Sequence, residues 1–371
     1  MEEFKVTPWE AKGEIDYDRL IKEFGIKPFN AKLKQFNDNI LFRRGSVFAH
    51  RDMERIENAI KNKKPFVMMT GLMPSGKFHF GHKMVADQIV FYQSLGAKIY
   101  LAVADIEAYN TRLADMEELR RVAIEEYLVN YIALGLKPKS CDFYFQSERS
   151  SDAKKSNAYY RLAEMAARHA TANEVKAIYG DITPGKLTSA LLQVSDILHP
   201  QLEEFEGQTP VIVPVGIDQD PHLRLARDIA ARMKSHFDFI LPSSTYNRFL
   251  TGLKGGKMSS SDPLSYVALT ETPEEAKQKI MKHAFSGGRD TIDEHRKLGG
   301  VPEVDVSYQW LYTLFEEDDK KIKKRYDDYK SGKMLTGELK NHLIDKISTF
   351  LDKHQKARAK AKKEVGKFIK E

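Results

Sequence analysis

The sequence predicts an α/β protein, in which a doubly wound parallel sheet is followed by a C-terminal helical domain. Apolar runs typical of buried strands alternate with segments of helical periodicity, and this alternation favours a parallel sheet covered on both faces. Beyond Asp262 the pattern changes to helical segments that continue to the end of the chain. Because 371 residues exceed one ordinary domain, we expect two domains and an extension.

The composition favours a cytosolic protein without disulfides. No run approaches the roughly 20 apolar residues that cross a bilayer, and the charged N-terminus lacks a signal-peptide core. Cys141 is the single cysteine, which excludes an internal disulfide or a thiolate metal cluster, so zinc is not expected. The formal charge of +6 permits a nucleic-acid partner without requiring one.

The first predicted strand, helix and strand lie early in the chain. The apolar run 65–69 is typical of a buried strand and leads into a Gly- and Pro-rich turn at residues 71–77. Apolar residues then recur at helical spacing from about His82, and Gly96 is placed to end the helix before a strand at residues 98–104. The turn therefore joins a strand to a helix.

A second turn follows the apolar strand predicted at residues 211–215. It reads Gly216-Ile-Asp-Gln-Asp-Pro-His222, and Asp220 before Pro221 predicts a helix N-cap with proline at the first helical position. Ligands of doubly wound sheets bind outside the carboxyl ends of the strands, where both turns lie.

The C-terminal part is predicted to be helical. Thr272-Pro-Glu-Glu275 forms a capping box. Leu339, Leu343, Ile347 and Leu351 form an apolar stripe at i, i+4 spacing. The basic residues that crowd the end of the chain are Lys353, Lys356, Arg358, Lys360, Lys362, Lys363, Lys367 and Lys370. They form either a solvated helix end or a surface that binds phosphates.

The first turn ends in His79-Phe-Gly-His82, where the chain enters a helix. Backbone N–H groups and the dipole at a helix N-terminus favour anions, and imidazoles can donate to phosphate oxygens. Gly81 would let an adenine ring approach the backbone. Two surface histidines at a helix start are the alternative interpretation of this motif taken alone.

A second motif, Lys257-Met-Ser-Ser-Ser261, follows Gly252, Gly255 and Gly256. The glycines indicate a mobile loop, on which a lysine could close over a triphosphate and neutralise the departing pyrophosphate. The serine hydroxyls would add donors. Taken alone, the segment could also be a flexible linker.

The two motifs together resemble the signatures of class I aminoacyl-tRNA synthetases, a His-x-Gly-His after the first strand and a Lys-Met-Ser-Lys-Ser type loop. This resemblance implies a Rossmann-type doubly wound parallel sheet. Small-molecule nucleotidyltransferases share the first motif, but they need no helical domain such as residues 272–371. A catalytically silent RNA-binding relative would not need intact phosphate motifs.

Over nearly its full length the sequence is similar to tryptophanyl-tRNA synthetases of the archaeal and eukaryotic type. The similar stretches are 15–18, 42–45 and 48–53 near the N-terminus, 216–221 in the second turn, and 283–290 and 334–339 near the C-terminus. The resemblance implies an N-terminal extension (1–64), a Rossmann-type catalytic domain with a helical insertion (65–270) and a helical domain that binds the tRNA anticodon (271–371).

The resemblance also implies a cytoplasmic homodimer that makes tryptophanyl-adenylate from L-tryptophan and ATP with Mg²⁺, and then loads tRNA(Trp). Neither a membrane nor a protein-bound metal is expected. Attack of a carboxylate on the α-phosphate needs alignment and charge stabilisation more than a general base. We therefore expect His79, His82, Lys257 and Ser259 to act on the phosphates.

The nucleotide is expected beside the same turns. Asp218, at the end of a strand, is placed to bind ribose hydroxyls, whereas Asp220 is expected to be a cap rather than a ligand. The residues expected to bind the nucleotide are Gly71, Ser75, Gly81, Gly216, Asp218 and Met258. Among these, Gly71 and Gly216 would leave room for it.

Hydrogen bonding distinguishes tryptophan from tyrosine, because an indole N–H only donates whereas a phenol donates and accepts. Asp196 is placed to accept from the indole, and Gln193, on the same helical face, to bind the amino group. Met69 suits a flat apolar ring. Glu107 resembles the tryptophanyl pattern, although a surface carboxylate is its alternative interpretation. Gln219 completes the expected amino-acid site.

Tryptophan and tyrosine enzymes share this scaffold, so a tyrosyl-tRNA synthetase is the alternative, and three departures from the tryptophanyl pattern concern the indole contact. Eukaryotic tryptophanyl enzymes have tyrosine at the place of Met69 and glutamine at that of Ala102, and their turn before the His-x-Gly-His is one residue longer. The turn here resembles the shorter Pro-Ser-Gly turn of bacterial tryptophanyl and archaeal tyrosyl enzymes. Asp196 is therefore the residue that we expect to accept the indole N–H.

Overall fold

A computed structural model describes residues 5–6, 11–12, 16–30, 32–112, 115–256, 258 and 262–369. Within these ranges the strands are β1 (Lys5–Val6), β2 (Ala11–Lys12), β3 (Lys27–Pro28), β4 (Val47–Arg51), β5 (Val67–Leu72), β6 (Lys98–Val103), β7 (Cys141–Phe145), β8 (Val211–Gly216) and β9 (Ser243–Asn247). The first two strands form a separate antiparallel pair, and the other seven form one sheet.

The main sheet is mixed rather than wholly parallel. Its strand order is β3-β4-β9-β8-β5-β6-β7, and the five strands from β9 to β7 are parallel to their neighbours. In contrast, β3 pairs antiparallel with β4, and β4 pairs antiparallel with β9. The predicted fold class is confirmed, and five strands form its parallel sheet. A segment near the N-terminus adds two antiparallel strands at one side.

Helices cover the sheet, and after β9 the elements that the structure describes are all helical. In the described ranges the α-helices are α1 (Tyr17–Phe24), α2 (Lys34–Asp38), α3 (Ile40–Arg43), α4 (Met53–Lys61), α5 (Phe80–Ser94), α6 (Asp105–Arg112), α7 (Met116–Val122), α8 (Val129–Leu134), α9 (Ala153–Ala166), α10 (Ala172–Tyr179), α11 (Pro184–Leu198), α12 (Asp220–Arg232), α13 (Pro273–His283), α14 (Ile292–Leu298), α15 (Val306–Trp310), α16 (Asp319–Lys330) and α17 (Thr336–Ala361).

Two π-helical segments and several 3₁₀ turns complete the helices. The π segment Ala123–Leu128 joins α7 to α8, and Leu311–Phe315 follows α15. The 3₁₀ turns are Ala167–His169, His199–Gln201, Ile217–Gln219 and Val365–Lys367. Of the helices that the structure describes, none combines the length and apolar character needed to span a membrane.

Alternation along the central strands divides the core into two layers, because successive side chains of a strand point to opposite faces. Met68 and Leu101 belong to the layer that includes core residues of α5, α8 and α17. Met69 and Tyr100 belong to the opposite layer, with core residues of α9, α10, α11 and α12. Helices therefore cover both faces, as predicted for a doubly wound sheet.

The helix signals predicted in the C-terminal part are confirmed. Thr272 caps α13, since its hydroxyl accepts from the backbone N–H of Glu275 while the Glu275 carboxylate accepts from the backbone N–H of Thr272. The apolar stripe is buried along α17, and its members are Leu339, Leu343, Ile347 and Leu351.

Asp220 is the first residue of α12 and not its N-cap. Its carboxylate lies 3.0 Å from Arg51 of β4 and 2.9 Å from Arg224, and it accepts a hydrogen bond from the Tyr246 hydroxyl of β9. The predicted cap was wrong because the 3₁₀ turn Ile217–Gln219 leads straight into the helix. The buried carboxylate instead joins α12 to two strands of the sheet.

Candidate active site

A cavity of about 670 Å³ opens at the carboxyl ends of β5 and β8, where α6 and α11 also contribute to its wall. The predicted site residues that line it are Met69, Gly71, Ser75, Glu107, Gln193, Asp196, Gly216, Gln219 and Met258. Residues predicted to bind the nucleotide and residues predicted to bind the amino acid therefore share one space.

The remaining predicted residues lie beside the lining or outside the described ranges. His79, Gly81 and His82 lie at the start of α5, a helix that also contributes Val85 to the lining. Asp218 lies between two lining residues of the second turn. Lys257 and Ser259 lie outside the described residues, so their roles stay predictions.

Two imidazoles cap α5. His79 is the N-cap: its Nδ1 accepts from the backbone N–H of Gly81 over 3.1 Å, and its own backbone N–H donates to Nδ1 of His82 over 3.2 Å. The two rings lie 3.9 Å apart. Because each Nδ1 accepts a hydrogen bond, the hydrogen of each neutral ring is on Nε2.

Both imidazoles are neutral at neutral pH. Burial, with a smaller effect of His82, lowers the pKa of His79 to about 2, and burial lowers the pKa of His82 to about 4. They can therefore meet an anion as Nε2–H donors and not as cations. The positive potential at this point comes from the N-terminus of α5.

Met258 brings the second motif against the first. Its Sδ lies 3.3 Å from the position that a Cβ on Gly81 would take, and the His79 ring lies 2.9 Å from the same position. The lack of a side chain at Gly81 thus makes room for both. Just after the loop, the backbone N–H of Leu269 donates to the carbonyl oxygen of Phe78 over 2.8 Å.

The glycines before Lys257 form a tight turn. The backbone N–H of Gly252 donates to the carbonyl oxygen of Gly256 over 2.6 Å, and a Cβ at Gly252 would lie 2.9 Å from the carbonyl oxygen of Ser265. Gly255 has φ of +88°, which strains any other residue. These glycines fix the direction in which the chain enters the loop.

Glu107 is a buried acceptor and not a surface carboxylate. It is 4% exposed, and its carboxylate accepts from the Tyr179 hydroxyl over 3.0 Å and from Nε2 of Gln193. Burial raises the pKa of Glu107, while the bonds from Gln193 and Tyr179 oppose the rise. Two residues predicted from separate helices are thus directly hydrogen-bonded at the cavity wall.

Asp196 sits at the centre of a second buried cluster. Its Oδ1 accepts from the hydroxyls of Tyr144 over 2.7 Å and Tyr159 over 2.8 Å, and its Oδ2 accepts from Nε2 of Gln146 over 2.7 Å. Burial raises the pKa of Asp196 to about 6, despite the lowering effect of these three bonds. Oδ2 retains capacity for a second hydrogen bond.

The second turn places Asp218 against Gly216. A Cβ at Gly216 would lie 2.4 Å from Oδ1 of Asp218, so this carboxylate position requires glycine there. Nε2 of Gln219 donates to Oδ2 of Asp218 over 3.2 Å. By contrast, a Cβ at Gly71 would meet nothing within 4 Å, so the cavity is open above that residue.

This architecture matches a known family. Residues 61–352 match the family model described as tRNA synthetases class I (W and Y). The chain belongs to this family of class I synthetases. The resemblance predicted from its two motifs is thereby confirmed.

Relatives of this class I synthetase are named for tryptophan. The tryptophan–tRNA ligases of Hyperthermus butylicus and Methanocaldococcus jannaschii are each 44% identical, over 100% of this chain and 99% of theirs. The crystal structure of tryptophanyl-tRNA synthetase from Aeropyrum pernix is similar with a TM-score of 0.90 and 44% identity, covering 96% of both chains. The Plasmodium falciparum tryptophanyl-tRNA synthetase gives 0.84 at 30% identity, covering 96% of this chain and 95% of that one. A tyrosyl identity is not favoured.

Sequence reasoning missed residues that donate hydrogen bonds to Glu107 and Asp196 at the wall of the synthetase's cavity. Tyr159 and Tyr179 have no sequence signal of their own, because a helical tyrosine at apolar spacing is equally typical of the core. Tyr144 and Gln146 are two residues apart at the end of β7, so they point to the same face. That alternation is the one signal that could have identified a polar pair.

Proposed function

We propose that this protein is a tryptophan–tRNA ligase that acts in translation. It activates L-tryptophan with ATP to give tryptophanyl-adenylate and pyrophosphate, and then transfers tryptophan to the 3′-terminal ribose of tRNA(Trp). The observation that carries the proposal is the composition of one cavity, in which the buried carboxylates of Glu107 and Asp196 share the wall with Gly71 and Ser75 of the turn before α5.

The amino acid occupies the carboxylate end of the cavity in this proposal. The indole N–H donates to the free acceptor position on Oδ2 of Asp196, and the ring packs on the thioether of Met69. Glu107, Gln193 and Gln219 bind the ammonium group. A phenol in the same place would bring one donor and leave its own acceptor unsatisfied beside carboxylates.

The nucleotide occupies the end near α5. His79 and His82 offer Nε2–H donors at the helix N-terminus, while Gly71, Ser75, Gly81 and Met258 adjoin the nucleotide. The second turn completes this end, with the ribose on Asp218 beside Gly216. Lys257 and Ser259 act on the phosphates in this proposal.

The chemistry then needs alignment and charge stabilisation. A carboxylate oxygen of tryptophan attacks the α-phosphorus, a new O–P bond forms, and the bond to the bridging oxygen breaks so that its electron pair leaves with pyrophosphate. The attacking carboxylate is already ionised, so no side chain must remove a proton. In the second step a ribose hydroxyl of tRNA attacks the acyl carbon, and AMP leaves.

Mg²⁺ enters with the ATP phosphates and supplies neutralising charge there. Among the residues that the structure describes, no group of three or more His, Cys, Asp or Glu side chains is arranged to hold a metal ion. In this proposal the ATP phosphates would hold the ion.

The partners follow from the family. Residues 271–371 bind the tRNA anticodon region, the enzyme is a homodimer, and it works in the cytoplasm. A basic surface supports the tRNA contact, because Lys353, Lys356, Lys360 and Lys363 are exposed at the end of α17 and just beyond it.

Pyrophosphate exchange into ATP, measured with each of the twenty amino acids and with or without tRNA, tests the function. We expect exchange with tryptophan and with no other amino acid. We also expect the protein to load tryptophan onto tRNA(Trp). Exchange driven by tyrosine, or no amino-acid-dependent exchange by folded protein, would reject the proposal.

A further inference from the structure

The π segment Ala123–Leu128 lies behind the turn that precedes α5. It interrupts what is otherwise one continuous helix from α7 to α8. In an α-helix, consecutive side chains diverge by about 100°, whereas a π segment changes this relation and occurs frequently at functional sites. Here two consecutive residues of the π segment, Glu126 and Tyr127, both bond to the same turn.

Tyr127 contacts two residues of the turn and one residue of α5. Its hydroxyl donates to the carbonyl oxygen of Ser75 over 3.0 Å and lies 3.4 Å from the Ser75 backbone N–H, which donates to it. Its ring meets Phe78 edge-on at 5.5 Å and His82 edge-on at 5.3 Å. The side chain is buried, and burial raises the pKa of Tyr127 to about 12, so the hydroxyl keeps its proton.

Glu126 holds the other end of the turn. Its Oε1 accepts from the backbone N–H of Phe78 over 3.0 Å, directly before His79. Behind it, Nδ2 of Asn130 donates to the carbonyl oxygen of Glu126, and Oδ1 of Asn130 lies 2.8 Å from Nε2 of His354 on α17. The backbone of Glu126 is therefore linked through Asn130 to the packed C-terminal helix.

These contacts satisfy the backbone N–H and carbonyl oxygen of Ser75 and the backbone N–H of Phe78. Ser75 itself lines the cavity, whereas Glu126 and Tyr127 do not. The turn is thus held in place by side chains that lie outside the cavity lining. The position of the turn matters for catalysis, because a shift of about 1 Å in a group that positions a substrate can lower the rate about a hundredfold.

We propose that Glu126 and Tyr127 are positioning residues for adenylate formation, which hold the turn 75–78 so that the N-terminus of α5 and the His82 ring meet the phosphates of ATP. The proposal rests on the function proposed above. It assigns the π segment to the nucleotide end of the cavity, since the amino-acid end is held by a separate cluster around Asp196.

Conservative variants test the assignment. Tyr127→Phe keeps the ring contacts and removes the bonds to Ser75, and Glu126→Ala removes the acceptor that Glu126→Gln retains. The matched controls are Tyr131→Phe and Glu125→Gln. The Tyr131 ring lies 5.4 Å from Phe78 but its hydroxyl bonds none of the described turn residues, and Glu125 is an exposed neighbour paired with Arg121.

We expect Tyr127→Phe and Glu126→Ala to lower kcat/KM for ATP in the exchange reaction by about tenfold or more. Calorimetric Kd values for tryptophan should stay within about twofold of wild type. Glu126→Gln should recover much of the loss, and both controls should behave as wild type.

A purely structural role predicts a different pattern. Unchanged ATP kinetics in Tyr127→Phe, or an equal loss for ATP and tryptophan that follows a lower Tm, would overturn the assignment. A wild-type protein that shows no tryptophan-dependent exchange would instead remove the proposed function, so the two failures are distinguishable.

Discussion

The carboxylate of Asp196 is buried and held in one orientation by three hydrogen-bond donors. Two tyrosine hydroxyls occupy Oδ1, and Gln146 occupies one of two acceptor positions on Oδ2. A carboxylate held by three donors cannot rotate without breaking them, so the remaining acceptor position has a defined direction. A donor-only ring matches that single position.

Substitution of Asp196 should therefore affect tryptophan and not ATP. Asp196→Asn places an amide N–H where an acceptor is needed, and Asp196→Ala removes the acceptor. We expect KM for tryptophan to rise at least about tenfold, or exchange to be abolished, with KM for ATP nearly unchanged. Exposed Asp181, replaced by Asn, is the control; wild-type kinetics in both Asp196 variants would reject the assignment.

The same residue predicts a pH dependence. The pKa of Asp196 is raised to about 6, mainly by burial, and the ionised carboxylate is the stronger acceptor for the indole N–H. KM for tryptophan should rise as the pH falls from about 7.5 through 6, and the kinetics of Asp196→Asn should lack this step. The neighbouring charges are those of Arg149 and Glu107.

The pH dependence of folding stability has the opposite direction to that of tryptophan binding: tryptophan binds less well at low pH, whereas the contribution of Asp196 to the stability of the fold is larger there. A raised pKa in the folded state means that folding favours the protonated carboxyl, so this stabilisation is complete below about 3.8 and is lost as the pH rises to about 6. Comparing Tm between pH 4 and 7 for wild type and Asp196→Asn measures it. A wild-type stability that, relative to the variant, increases over this range would contradict the raised pKa.

At the residue scale, the sequence predicted several residues that line the cavity but not the residues that hydrogen-bond to them. Gln193 and Asp196 were predicted because substrate chemistry restricts their residue types, and Glu107 was predicted from the family resemblance. The three residues lie together in the structure. Tyr144 and Tyr159 were not predicted, because their contacts with Asp196 join a strand to two helices. No local spacing encodes such a contact.

Among the elements, α12 depends on a buried carboxylate. Asp220 is fully buried and contacts Arg51, Arg224 and Tyr246, so it connects the N-terminal segment to the helix that follows the second turn. The sequence suggested a cap because the Asp-Pro pair is typical of a helix start. The ion pairs depend on distant strands and could not be read locally.

Asp220→Asn should destabilise the fold without changing substrate preference. Removing one partner of a buried ion pair costs about 3–5 kcal/mol, so we expect a clear fall in Tm with little change in KM for tryptophan. The control is Asp228→Asn on the exposed side of the same helix. Equal thermal stability of the two variants would show that the buried ion pairs contribute little.

The edge strands show why sheet topology was only partly predictable. Periodicity identified β5, β6 and β8 because buried parallel strands are continuous apolar runs. β4 contains His50 and Arg51 and pairs with β9, far along the chain. Neither its polar residues nor its partner follows from local pattern, so its antiparallel position between β3 and β9 emerged only in three dimensions.

At the scale of the whole molecule, the C-terminal helices pack on the core layer that also contains residues of α5 and α8. The α17 stripe shares a core with Met68 and Leu101 of the sheet, and His354 reaches Asn130 of α8. Arg358 is buried and so does not belong to the outer basic surface. The exposed lysines of this region face solvent while the opposite side of the helix is fixed to the core.

Those lysines should affect tRNA binding alone. Replacing Lys356, Lys360 and Lys363 by alanine should raise KM for tRNA and reduce its salt dependence, because fewer phosphates are neutralised. Exchange without tRNA should be unchanged. The control is Lys323→Ala with Lys324→Ala, since these two lysines are paired with Asp327 and Asp328 on α16. Equal salt dependence of tRNA binding in both variants and wild type would exclude these lysines as a tRNA contact.

The most direct measurement is a crystal structure of the protein with a non-hydrolysable tryptophanyl-adenylate analogue. We predict one molecule in the cavity, with its indole nitrogen within hydrogen-bond distance of Oδ2 of Asp196 and its phosphate mimic at the N-terminus of α5 beside His82. An analogue bound outside this cavity, or with its ring at α5 and its phosphate mimic at Asp196, would contradict the proposed division of the site.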